Sequence, residues 1–146
     1  MLKRYTFWLT AGILFQFLTA IIHSLSFFVR QKPENDTEQQ MLDLLYNYHL
    51  DLGAGFHPTF GNLFTALSAC FTLMCLLGGF TLGHLLIKHT EPSIMKGIIA
   101  INLAIFTVCF IVMAFLTFLP PIVLTGLIVI NLFAAYILCP KIEASV

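Results

Sequence analysis

The chain has 146 residues, of which 59% are hydrophobic and 10% charged, and its seven Lys and Arg balance seven Asp and Glu. Ordinary soluble domains carry about a quarter charged residues, so this composition cannot clothe a water-facing surface. With no basic excess there is also nothing to hold a nucleic acid.

Every charge lies outside four apolar runs, Thr6 to Val29, Phe56 to Ile87, Gly97 to Leu119 and Ile122 to Cys139. Backbone groups in lipid must bond to one another, so runs of this length are helices or barrel strands, and these do not alternate polar with apolar as barrel strands do. The expected fold is all-α: an integral membrane four-helix bundle, one domain over 1–146, with spans at about 6–29, 58–87, 94–119 and 121–138 and an outside loop at 30–57.

Lys3 and Arg4 precede the first run as in a signal peptide. The run is about twice the length of a signal core and no small-x-small cleavage site follows, so an uncleaved first span is expected. Along it Gly12, Gln16, Thr19, His23, Ser26 and Arg30 recur at steps of four and three, on one helical stripe. An ionisable group inside a span is a functional candidate by default, which singles out His23. The alternative is a neutral imidazole bonded to Gln16 or Thr19.

Arg30 and Lys32 stand at the outer end of this span, whereas Lys3, Arg4, Lys88, Lys96 and Lys141 share the other side. The positive-inside rule therefore puts both termini in the cytoplasm. The outside loop is acidic, with Glu34, Asp36, Glu38, Asp43 and Asp51. Within it, Thr37 followed three residues later by Gln40 predicts a helix start, and Gly53 and Gly55 predict a stop. Winding the segment puts Met41, Leu44, Leu45, Tyr48 and Leu52 on one face, and this short amphipathic helix is expected to lie on the bundle's outer mouth, with His49 at the edge of its apolar face.

His23, His49 and His57 are all expected near the outer half of the membrane, beside Tyr46. Together with Gln16 and Thr19 they make a candidate ligand site, since His and Tyr can hydrogen-bond the carbonyl of a quinone or another lipid-like molecule. There is no Cys-x-x-Cys-His, no His-Glu-x-x-His and no His pair at helical spacing, which argues against a metal or haem. No cofactor can be named from the residues, and no catalytic set is recognised.

The second span carries small residues at the same alternation: Gly61, Thr65, Ser68, Thr72, Cys75, Gly79 and Gly83. This stripe is expected to pack against another helix. Cys70, Cys75, Cys109 and Cys139 all lie in the apolar runs, unpaired and too far apart in sequence for quinone-linked disulfide chemistry. A short inside turn at Lys88 to Ser93 and an outside hinge at Pro120-Pro121 make the last two spans a hairpin, with Pro121 starting the fourth. No Asp, Glu, Lys or Arg lies in the apolar runs, which argues against a pump or cation channel.

The segments Ala20-Ile-Ile-His23-Ser-Leu-Ser-Phe-Phe28, Leu52-Gly-Ala-Gly55-Phe-His-Pro58-Thr-Phe-Gly-Asn-Leu-Phe64 and Phe118-Leu-Pro-Pro121 resemble a family of small four-span bacterial inner-membrane proteins. The resemblance implies architecture and membrane, and no reaction. The expected function is that of an accessory factor, subunit or protective protein acting by helix and loop contacts. Its partners would be the lipid bilayer and a membrane protein or a second copy. A binding or catalytic bundle for a lipid-like or quinone-like molecule, entered from the outer leaflet, is the alternative.

Overall fold

The computed structural model describes residues 4–29 and 32–140. Five helices follow one another: α1 (Tyr5–Leu25), α2 (Asp36–Asn47), α3 (Phe60–Ile87), α4 (Pro92–Leu116) and α5 (Leu119–Leu138). Of these, α1, α3, α4 and α5 are long and apolar enough to cross a membrane. The chain is a multi-pass membrane protein. With 28 residues, α3 is roughly 40 Å long and exceeds a hydrocarbon core of about 30 Å.

Helix ends differ from expectation where backbone chemistry outweighs hydropathy. Helix α1 stops at Leu25 rather than Val29, because residues 26–28 turn through i to i−3 bonds, among them Ser26 N–H to the His23 carbonyl. The stripe expected along it therefore ends at His23. The hinge between α4 and α5 lies at Thr117 and Phe118, both extended, and α5 already begins at Leu119 with both prolines in its first turn. Residues in that turn need no N–H for the helix, so proline costs nothing there.

The described residues form two compact units. The first comprises residues 4–20 and 74–140. In it α1 meets α3 through Ile13 against Gly83, Gln16 against Gly78 and Phe17 against Gly79. Gly12 of α1 touches Leu132 and Asn131 of α5. Cys109 of α4 meets Met74 of α3, Phe110 of α4 meets Gly126 of α5, and Lys96 of α4 reaches Cys139 beyond α5. From Ile13–Gly83 to Gln16–Gly78, and from Lys96–Cys139 to Phe110–Gly126, the residue numbers rise on one helix as they fall on the other, so α1 runs antiparallel to α3 and α4 to α5, and the four helices close a ring.

The ring's interior follows coiled-coil spacing. Leu9, Ile13, Gln16 and Ala20 on α1, Met95, Ile99 and Phe106 on α4, and Thr125, Ile128, Leu132, Ala135 and Cys139 along α5 are all buried. Steps of three and four keep one narrow seam facing the partner helices. Asn102 occupies the missing step between Ile99 and Phe106. The outward side, including Leu77, Ile101 and Val108, is exposed and apolar, as lipid requires.

The second unit comprises residues 21–29 and 32–73. Asn35, not Thr37, caps α2: its Oδ1 accepts from the Glu38 N–H at 2.9 Å, and the Glu38 carboxylate accepts from the Glu34 N–H at 2.7 Å. This is a variant of the capping box, shifted two residues upstream, in which Glu38 reaches the N–H one residue before the cap. The helix ends at Asn47 with Tyr48 as its C-cap, so Leu52 is not on it. Its buried residue is Leu42, while Met41, Leu44 and Tyr48 of the expected inner face are exposed. The reason is the start of α3: Gly61 seats against the Tyr46 ring and the Leu45 carbonyl, which turns the 42, 45 and 46 side of α2 inward.

Between α2 and α3 the chain makes a small hairpin, with a bridge between His49 and Thr59 and a bond from Leu50 N–H to the Pro58 carbonyl. Its tip has three successive positive φ angles, at Gly53, Ala54 and Gly55. Glycine at the first and third of these avoids the steric cost a side chain would bring.

Candidate functional site

The most unusual chemistry sits in the first unit, where α1, α3 and α4 converge at Gly78. Gln16 is fully buried, yet neither its Oε1 nor its Nε2 has a hydrogen-bond partner among the described residues. A side chain begun at Gly78 would put its Cβ 2.6 Å from Gln16 Oε1 and 2.8 Å from Asn102 Oδ1. The glycine is therefore the space in which two amide oxygens from neighbouring helices approach each other. Asn102 cannot readily turn, because its Nδ2 donates to the Ile98 carbonyl at 3.0 Å. An unpaired amide in an apolar interior costs several kcal/mol in order of magnitude, so these groups are not casual residents of the core.

Gly78 and Asn102 also form part of the wall of a cleft of about 250 Å³ between α3 and α4. Met74, Leu77, Ile101, Ile105 and Phe106 supply its apolar walls. Of these, Leu77, Ile101 and Ile105 are exposed on the side that faces lipid. The arrangement can hold an apolar body and offers it hydrogen-bonding groups, the Asn102 amide and the Thr81 hydroxyl.

The candidate residues drawn from the sequence are placed separately. Thr19 Oγ1 donates to the Phe15 carbonyl of its own helix at 2.7 Å, and with Gln16 unpartnered the expected network of His23 with Gln16 and Thr19 is not formed. His23 instead lies edge-on to Phe71, with ring centroids 5.0 Å apart, and to Phe27 at 6.2 Å, its Nε2 buried without a partner. His49 and His57 do come together in the hairpin. His49 Nδ1 is 2.7 Å from the His57 carbonyl, and His57 Nδ1 is 4.0 Å from Asp51 Oδ1. Both imidazoles are exposed, and Tyr46 is set against Gly61. Among the described residues no group of three His, Cys, Asp or Glu could hold a metal ion.

The small stripe of α3 is used unevenly. Gly61 meets Tyr46, Thr72 and Cys75 are buried, and a Cβ at Gly79 would stand 3.2 Å from the Phe17 ring. Thr65 is exposed, its hydroxyl donating to the Gly61 carbonyl, Ser68 is half-buried, and a Cβ at Gly83 would meet, among the described residues, only Ile13 at 4.0 Å. The tightest position, Gly78, is adjacent to the stripe and was missed, as were Asn102 and Asn131. One signal could have found the amides: Asn102 falls on the same three-and-four spacing as Met95, Ile99 and Phe106.

No family model matches the chain, and no curated protein or solved structure matches it either.

Proposed function

We propose that this chain is a non-catalytic multi-pass membrane protein that acts by helix and loop contacts, as an accessory factor, subunit or protective protein. One observation carries the reading. Among the described residues, the buried polar groups of the four-helix ring are amides and hydroxyls, Gln16, Thr19, Thr125 and Asn131, with the half-buried Asn102 beside them, which recognise and hold but do not titrate near neutral pH. Loop contacts are supported by the exposed Met41 and Leu44 of α2 and Tyr48 at its C-cap, an apolar strip suited to the membrane interface or to a partner's loop.

The same reading places the protein in a bacterial inner membrane with cytoplasmic termini, on the strength of the resemblance and of Arg4, Lys88 and Lys96 flanking one end of the described spans. A cytoplasm-active reporter fused after Val146 should give signal, and a cysteine replacing Glu38 should be labelled from outside. The mirror-image result would reverse the orientation. For the function itself, photo-crosslinkers placed at Ile101 and Ile105 in cells should yield a discrete protein adduct, seen again as a stoichiometric mass in mild detergent. Lipid adducts alone, with a monomeric mass, would reject the contact role.

A second reading, a bundle that binds a lipid-like molecule, is favoured by the cleft between α3 and α4. Its location differs from the outer histidines that the sequence suggested.

A further inference from the structure

We propose that α2 lies in the headgroup boundary of the leaflet beside it, with Met41, Leu44 and Tyr48 turned to the acyl chains, and that this surface selects zwitterionic over anionic lipid. The proposal deepens the loop-contact part of the reading above by naming lipid as the partner. It stands on three observations, all within the second compact unit. First, winding α2 at about 100° per residue divides it into three sides. On one side Leu42 is buried, and Leu45 and Tyr46 stand against Gly61 of α3. On the next, Met41 and Leu44, continued by Tyr48 at the C-cap, are 54%, 62% and 55% exposed. The third side bears the exposed Gln40, Asp43 and Asn47. A helix with protein on one side, polar groups on another and an apolar strip between fits the corner where a span leaves the membrane.

Second, the contact with Gly61 fixes where α2 meets α3. It lies in the first turn of α3, and the exposed apolar surface of that span begins there, with Phe60, Leu63, Phe64 and Leu67. The hairpin adds the exposed Leu52 and Phe56 at the same end. The strip on α2 thus continues the apolar surface of a membrane-spanning helix, and Tyr48 supplies a ring of the kind that anchors at this depth. Third, charge names the lipid. Helix α2 carries Asp36, Glu38 and Asp43 and no Lys or Arg, whereas interfacial helices that hold anionic lipid carry basic residues on the polar face. An anionic headgroup layer would repel these carboxylates, and a zwitterionic one offers them its ammonium groups.

The test uses the full chain in lipid nanodiscs, with one fluorescent amino acid at Leu44 or, separately, at Asn47. In phosphatidylcholine, brominated acyl chains should quench the Leu44 probe several-fold more than the Asn47 probe, and aqueous acrylamide should do the reverse. Equal quenching at the two sites, or stronger acrylamide quenching at Leu44, overturns the insertion. A Leu44 probe shielded from both quenchers puts protein on the strip and overturns lipid as its partner. Exchanging phosphatidylcholine for phosphatidylglycerol should weaken bromolipid quenching at Leu44 at low salt, and high salt should restore it; indifference to the headgroup overturns the lipid class. With the probe at Met41, Leu44→Asp should lower bromolipid quenching several-fold while the bundle unfolds at the wild-type temperature, and unchanged quenching overturns the strip as the anchor. These probes are read on α2, whereas the contact role of the spans is tested by crosslinking at Ile101 and Ile105, so either reading can fail alone.

Discussion

The Lys96 ammonium donates to the Cys139 carbonyl across 3.0 Å and lies 5.1 Å from the centre of the Tyr136 ring. A residue that the sequence presents as a marker of orientation thus also closes the C-terminal end of α5, where unpaired carbonyls concentrate negative potential. Burial pushes the neighbouring Cys139 thiol above its usual value, opposed in part by Lys96, so the thiol stays protonated and unreactive at neutral pH. Lys96→Met should cost about 1–2 kcal/mol and Lys96→Arg much less. Thermal unfolding in detergent measures both, and a Lys96→Met protein melting with wild type would show the contact to be idle.

Gly78 and Gly97 give opposite expectations for the same change. A Cβ at Gly78 would meet two amide oxygens inside 3.0 Å, whereas at Gly97 it would meet nothing within 4 Å. Gly78→Ala should destabilise by about 1–3 kcal/mol through overpacking. Gly97→Ala should be neutral or stabilising by up to about 1 kcal/mol through helix propensity. Adding Gln16→Ala to Gly78→Ala should recover part of the loss, since the two groups occupy one space. Additive losses in the double variant would show that the strain lies elsewhere.

His23 is held by rings. If its edge-on contacts with Phe71 and Phe27 are its role, His23→Phe should keep the melting temperature close to wild type, and His23→Ala should lose about 1–2 kcal/mol. Any cellular phenotype should then survive His23→Phe. A folded His23→Phe protein that has lost its phenotype would return the imidazole to a functional role.

His89 ends α3 in a conformation that favours glycine. Its φ is +50°, the Thr90 N–H bonds the Leu85 carbonyl at 3.1 Å, and the His89 N–H bonds the Leu86 carbonyl at 3.2 Å. These paired bonds are a Schellman stop with histidine at the left-handed position. His89→Gly should therefore raise stability by about 0.5–1 kcal/mol, whereas His89→Val should lower it. Equal unfolding temperatures for the two variants would contradict this assignment.

Four spans, their antiparallel sequence and the existence of a helix in the first long loop are legible in the chain itself, because lipid leaves a charge-free apolar run few options but a helix. Gln16 and His23 stand out for the same reason: a polar group within such a run is conspicuous in one dimension. What they touch is not. The inward face of α2 was misjudged because Gly61, fifteen residues or more downstream, selects the side bearing Leu45 and Tyr46. The tie between Lys96 and Cys139, 43 residues apart, has no local signature. Asn102 gained its meaning only when α1 brought a second amide to the bare backbone at Gly78. Hydropathy is a property of each residue against its solvent and sums along the chain, so sequence determines which segments cross. Pairing of side chains between helices depends on rotation and close approach, which only the tertiary structure decides.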